Sequence, residues 1–278
     1  MNKGITQIQD NHLNLPSRIA MVKGRSTSTI DYVYSASGAK LRVIHRPNVL
    51  SPLSTTTDYV NGYIFTNNNL SMALTDNGYY TLSSTGTPTY HFYLKDHQGN
   101  NRVVVTQTDS IVQTNHYYPY GALFAESTNG DVQRFKYNGK ELDRKFGLNW
   151  YDHGARHNDA AIGRWHSMDK NAEKYYGISP YAYCVGAPIS GIDMDGKKVI
   201  WINGWTAKKN IGNNYWGIFL SLVANLYNEN KDNYAFYDGS IGGIENTITH
   251  LSLLFRAMEP ISTIYGWLTT DMVVPQLA

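Results

Sequence analysis

Apolar and polar positions first fall into a readable pattern at Tyr32-Val33-Tyr34, where alternation predicts a strand. Ser35 to Gly38 then predicts a tight turn, and Lys40 to Ile44 the returning strand. A related unit recurs at Tyr93 to Val103. In both, a polar residue (Ser35, Asp96) stands three before a glycine (Gly38, Gly99), and a basic residue and a valine follow. Imperfect recurrence of a hairpin unit is the mark of a repeat architecture. Arg102 to Thr108 is β-branched and predicts a strand, Asp109-Ser110 a turn, and Ile111 to Tyr118 the return. Phe135 to Lys140 has the same form of aromatic alternation followed by a turn.

The pattern changes near Lys197. Val199 to Ile202 predicts a short strand. Asn214 to Asn228 then carries Trp216, Phe219, Leu220, Val223, Leu226 and Tyr227 on helical spacing. Tyr234 to Tyr237 predicts a second short strand. Ile244, Ile248, Leu251, Phe255 and Met258 predict one face of a second helix. The order β-α-β-α argues for a small α/β unit. The expected organisation is a polar, turn-rich edge of a repeat array over 1–30, a β-repeat region over 31–197 and an α/β tail over 198–278. The fold class is therefore mainly β, followed by a small α/β region.

Composition sharpens this picture at a few points. The chain has 278 residues, 42% hydrophobic and 17% charged, a globular balance. Its 22 Tyr and 24 Gly suit half-buried strand faces and tight turns. A formal net charge of +2 gives no field that calls for nucleic acid or an anionic membrane. The single cysteine, Cys184, rules out an internal disulfide, and its apolar neighbours predict a buried, inert thiol in a strand. Met1 to Asp10 is polar, so no signal peptide is expected there. The most apolar stretch, Trp216 to Val223, falls short of the roughly 18 residues a membrane span needs.

Three groups of residues invite chemistry. Asp152, His153, His157, His166 and Asp169 cluster in sequence. The i, i+4 spacing of the first two histidines joins them only on a helix, whereas the segment predicts strand and turn. Surface histidines and no metal are expected. Arg156 and Arg164 are expected to form structural ion pairs with an acid such as Asp159 or Asp169. Asp238-Gly239-Ser240-Ile241-Gly242 follows a predicted strand and precedes a predicted helix, the setting of a nucleophile elbow, with Ser240 the candidate nucleophile. Downstream of it only His250 is available, inside the predicted helix, and the remaining chain is too short for a full triad, so the favoured reading of Ser240 is a helix N-cap.

Several motifs, in order, resemble the RHS repeat-associated core of RHS/YD-repeat proteins. Asp96 to Arg102 is similar to its DHLGN-x-R strand, Tyr117 to Gly121 to its YYPFG, and Tyr137 to Asp143 to its GKE turn. Trp150 to Trp165 is similar to its YDYGAR…GR-F/W run, Ser179 to Pro188 to its SPYAY-x-x-NNP, and Ile192 to Gly196 to its closing DPDG. The resemblance covers about residues 30–197. It implies the end of a spiralling β-sheet shell around a C-terminal cargo, often a toxin. It further implies, as partners, the rest of the shell, a secretion machinery and an immunity protein for the tail, with a secreted or cell-surface location and no cofactor. Some members cut themselves free of the tail with two aspartates. The matching positions are Asp169 and Asp193, with the cut just after Gly196. The family pattern has Asp-Pro-x-Gly at both places. Here the sequence reads Asp169-Lys170-Asn171-Ala172 and Asp193-Met194-Asp195-Gly196, without either proline. An esterase-like tail built on Ser240, or a glycan-binding adhesin built on the Tyr-rich repeats, are the alternative functional expectations.

Overall fold

The computed structural model describes residues 3–174, 176–202 and 234–237. Eleven strands form one antiparallel sheet in which every strand pairs with its sequence neighbours. They are β1 (Ile5–Asp10), β2 (Pro16–Lys23), β3 (Ser26–Tyr34), β4 (Lys40–Arg46), β5 (Thr55–Val60), β6 (Tyr63–Thr66), β7 (Asn69–Thr75), β8 (Gly78–Leu82), β9 (Pro88–Lys95), β10 (Asn101–Thr106) and β11 (Ile111–Thr114). The predicted hairpins are β3–β4 and β9–β10. The meander also runs through four strands between them, β5 to β8, and through β1 and β2 in the segment expected to be a polar edge.

One face of this sheet is buried and the other is not. Ile19, Met21, Ile30, Tyr32 and Val43 point inward, and Leu148 and Trp150 of the following region pack on them. Farther along, Ile64, Met72, Tyr79 and Val104 form a second patch, covered in part by Phe135. Val33 and Arg42 opposite it face away, as the period of two requires, and Leu41 is turned out by the bulge that shifts the β3–β4 register. Gly78 is a position that only glycine fits, because a Cβ there would collide with the His91 carbonyl of the neighbouring strand.

A second, four-stranded antiparallel sheet lies on the buried face: β12 (Glu141–Asp143), β13 (Trp150–Asp152), β14 (His157–Asp159) and β15 (Arg164–Trp165). Buried polar and charged pairs tie the two layers together. Lys40 Nζ lies 2.7 Å from Glu141 and 2.6 Å from Asp152, Lys3 lies 2.7 Å from Asp159, and His45 Nε2 lies 2.9 Å from Asp143. Beyond the four-stranded sheet, Tyr137, Leu142, Tyr151, Trp165, Tyr183, Cys184 and Val199 form a third core. The last sheet contains β16 (Gly191–Asp193), β17 (Val199–Ile202) and β18 (Tyr234–Tyr237), with β17 antiparallel to β16 and parallel to β18.

The described chain is thus mainly β. Both strands predicted for the tail form, and the first of them pairs directly with β16 of the preceding region. The two predicted helices, over 214–228 and 244–258, lie outside the described residues. Among the described residues no helix is long and apolar enough to cross a membrane.

Candidate functional site

The two aspartates singled out by the family resemblance converge on one arginine. Arg156 lies in the tight connection between β13 and β14, Asp169 follows β15, and Asp193 ends β16. Arg156 Nη2 is 2.7 Å from Asp169 Oδ2 and 3.4 Å from Asp193 Oδ2. Its guanidinium lies over the Trp165 ring, 4.4 Å from the centroid, a stacking arginine performs better than lysine. The Asp193 side chain is 1% exposed and that of Asp169 9%, so both carboxyls are removed from bulk water.

The chain after Asp193 folds back over this pair. Asp193 Oδ1 accepts hydrogen bonds from the Gly196 and Lys197 amides, at 2.7 Å and 3.1 Å. Arg156 Nε donates to the Gly196 carbonyl at 2.6 Å. The Gly196–Lys197 peptide bond is therefore held at both ends: its oxygen by a guanidinium and its N–H by a carboxyl. Gly196 sits at φ +76, and a Cβ there would come within 2.8 Å of the Arg156 backbone nitrogen, so the turn is open to glycine alone. His153 Nδ1 lies 2.6 Å from the Asp193 carbonyl, to which its N–H donates.

Burial pushes the Asp193 carboxyl up to about 7. Arg156 pulls the other way, while the charges of Asp195 and Asp169 add to the rise and the Gly196 amide offsets part of it. A carboxyl partly protonated at neutral pH beside a second, arginine-bound carboxyl is the division into acid and base that peptide hydrolysis needs.

The other candidates come out differently. Arg156 makes the ion pair expected of it, with Asp169, but Arg164 lies over the Tyr181 ring. Asp159 bonds Lys3 and the Trp150 indole instead. The histidines are not on the surface: His153 and His157 are 2% and 1% exposed, because strands β13 and β14 are covered on both sides. They also enter different cores, His153 against Trp165 and His157 against Tyr32. Among the described residues no group of three or more His, Cys, Asp or Glu is arranged to hold a metal. Cys184 is buried as expected, though in a tight turn at φ 46 rather than a strand. Ser240 and His250 lie outside the described residues.

No family model matches the chain. Over 110 residues, 39% of the chain, it is 38% identical to Salivary gland surface protein 1 of Aedes aegypti, and it spans 3% of that relative's length. A crystal structure of TcdB2-TccC3 superposes on 69% of the chain with a TM-score of 0.55 at 19% identity, over 10% of its own length. A Photorhabdus luminescens Tc holotoxin pore does so at 0.55 and 20%, again over 69% of this chain and 10% of its own. The described sheets share the fold of a part of these Tc toxin structures. TcdB2-TccC3 without its hypervariable C-terminal region matches over the same 69% and 10%, at 0.55 and 19%. The fold likeness therefore does not need that region of the neighbour.

Proposed function

We propose that this chain is a structural segment of a larger RHS-type shell that carries and delivers its own C-terminal tail. The observation that supports the reading is the fold, which superposes over 69% of the chain on structures of Tc toxin complexes. In this reading the β3–β4 and β9–β10 hairpins are YD-type repeats. The partners are the remaining shell, a secretion machinery and an immunity protein that guards the producing cell. The work is done outside that cell, in competition between bacteria.

The geometry at Gly196 favours a second activity of the same segment, release of the tail by self-cleavage. Asp169 takes a proton from water, whose oxygen adds to the Gly196 carbonyl carbon. Arg156 Nε steadies the oxygen that gains charge. Asp193, whose Oδ1 accepts the Lys197 N–H at 3.1 Å in the intact chain, when protonated gives its proton to the nitrogen lone pair freed by addition as the C–N bond breaks, leaving a new carboxyl on Gly196 and a new amine on Lys197.

One preparation tests both: the full-length protein from its source, wild type beside Asp193→Asn, by light scattering and by intact mass after a day at neutral pH. The expected result is a particle far larger than 31.3 kDa and, in wild type alone, a break between residues 196 and 197. A particle of no more than about 31.3 kDa would overturn the shell. An uncut chain in both proteins would overturn self-cleavage and leave the Arg156 cluster as a clamp that fastens the tail strand.

A further inference from the structure

His157 and His166 lie where the two layers meet. His157, on β14, packs its ring 5.7 Å from that of Tyr32 on β3 and 6.3 Å from the Trp150 indole. His166, just after β15, lies 5.0 Å from Trp150 and 5.4 Å from His157. Trp150 is itself part of the core that joins the sheets. Neither His157 ring nitrogen has a hydrogen-bond partner, and nor has His166 Nε2, although all three are buried. His166 Nδ1 is occupied by the His157 backbone, 3.3 Å from its nitrogen and 3.2 Å from its oxygen.

Such rings fit the interface only while neutral. Each would carry a further charge into a buried interface without a hydrogen-bond partner for it, and two imidazolium rings 5.4 Å apart would repel. The groups facing His157 are mixed. Asp152, 3.9 Å away, Asp143, Glu141 and Asp10 favour its charged form, and Lys40, His153 and His166 oppose it. Of these carboxylates, Asp152, Asp143 and Glu141 are already committed to Lys40, Arg134 and His45. His166 faces Arg156 and His157, which oppose its charge, and Asp152, which favours it. Burial dominates for both, holding His157 below the ordinary histidine range and His166 down at about 3.

We propose that the His157–His166 pair is an acid-sensitive latch between the eleven-stranded sheet and the four-stranded sheet, closed while both rings are neutral and released when they take up protons.

The sign follows from linkage. A histidine neutral in the closed state and free to protonate once the layers part favours the open state as pH falls below its ordinary value of about 6.5. Between pH 7.5 and 5 a ring held as low as that of His166 raises the open-to-closed ratio about 30-fold, and His157 acts in the same direction. Glu141, Asp143 and Asp152 are held below the usual carboxylate range, so their loss comes only at lower pH. Asp193, raised to about 7, protonates preferentially in the folded chain and works in the opposite direction.

Hydrogen exchange of the full chain at pH 7.5 and pH 5, corrected for the intrinsic pH dependence of exchange, tests the latch in wild type and in His157→Gln/His166→Gln. The expected result is a large loss of protection at pH 5 in β13 to β15, with β7 to β9 little changed, and a loss at least tenfold smaller in the double variant. Equal losses in both proteins would overturn the proposal. A second measurement needs no variant: carbon-13 titration of the histidine rings in wild type. Two rings that stay neutral until the layer contacts are lost support the latch. Rings that titrate near 6.5 with those contacts intact refute it.

Discussion

The eleven-stranded sheet and the four-stranded region behind it solve the same problem by different means. In the sheet, strands of four to nine residues satisfy their own backbone groups through the ladder, and side chains need only alternate between a buried and a free face. In the smaller region the strands are two or three residues long, so most backbone groups must find partners elsewhere. Buried side-chain amides and hydroxyls supply them. Asn138 takes the Asn100 amide oxygen at 2.7 Å on its own N–H, and its side chain reaches Gln98 O at 3.1 Å and the Tyr183 hydroxyl at 2.6 Å. Asn115 reaches Asn101 O at 2.9 Å, and Tyr151 reaches Gly121 O at 2.8 Å. A region built this way depends on individual residues, whereas a ladder depends on their average character.

The contrast is sharpest at Lys40, which belongs to the sheet by position and to the small region by its contacts. Lys40→Met removes the cation shared by Glu141 and Asp152 and leaves two buried carboxylates short of a partner. The expected cost is about 3–5 kcal/mol, read as a fall in the urea midpoint at pH 7. In wild type both carboxyls are held below the usual range by Lys40 among other groups, after a burial effect of opposite sign. The stability they contribute is therefore present above about pH 4 and is lost as pH falls further. In the variant, burial without the cation raises Asp152, while Glu141 keeps Arg134, so stability increases as pH drops from 7 toward 4. The gap between the two proteins should narrow in acid, and a gap independent of pH would mean that packing, not charge, is what Lys40 contributes.

Asn138→Ala tests the same idea on neutral groups. The substitution strands Gln98 O and the Tyr183 hydroxyl and places alanine at φ 50. A loss of about 1–3 kcal/mol by the same measurement is expected, larger than for any single exposed residue of the sheet.

What the sequence made legible follows the same division. The β3–β4 and β9–β10 hairpins could be read directly, since alternation and a glycine turn are local signals and local hydrogen bonds honour them. Arg156 with Asp169 was readable as opposite charges close in the chain. The bond from Arg156 to Gly196 was not, because it joins two turns forty residues apart and neither turn carries a periodic pattern. His153 and His157 read as surface residues from their polarity. Their burial comes from the layers stacked on either side of β13 and β14, which no window of the sequence displays. Cys184 read as a strand residue from its apolar neighbours, yet the turn it occupies is set by the packing of Tyr183 against Tyr137 and Trp165. The aspartate pair was found only through the resemblance to RHS cores. Its geometry, with both carboxyls on one guanidinium, was beyond any spacing rule.

Val33→Thr probes the other pole of the comparison. Val33 sits on β3 opposite Arg42 and is 45% exposed, on the face that carries no second layer. Threonine keeps the branch at Cβ, and with it the strand preference, while adding a hydroxyl that water can satisfy. The urea midpoint should shift by no more than about 0.5 kcal/mol equivalent. A loss of 2 kcal/mol or so, as large as that expected at Asn138, would mean that the outer face of the sheet is covered in the folded protein. The division drawn between a tolerant ladder and an exacting core would then be wrong, and Val33, Leu41, Phe92 and Leu94 would have to be counted as contact residues rather than as free ones.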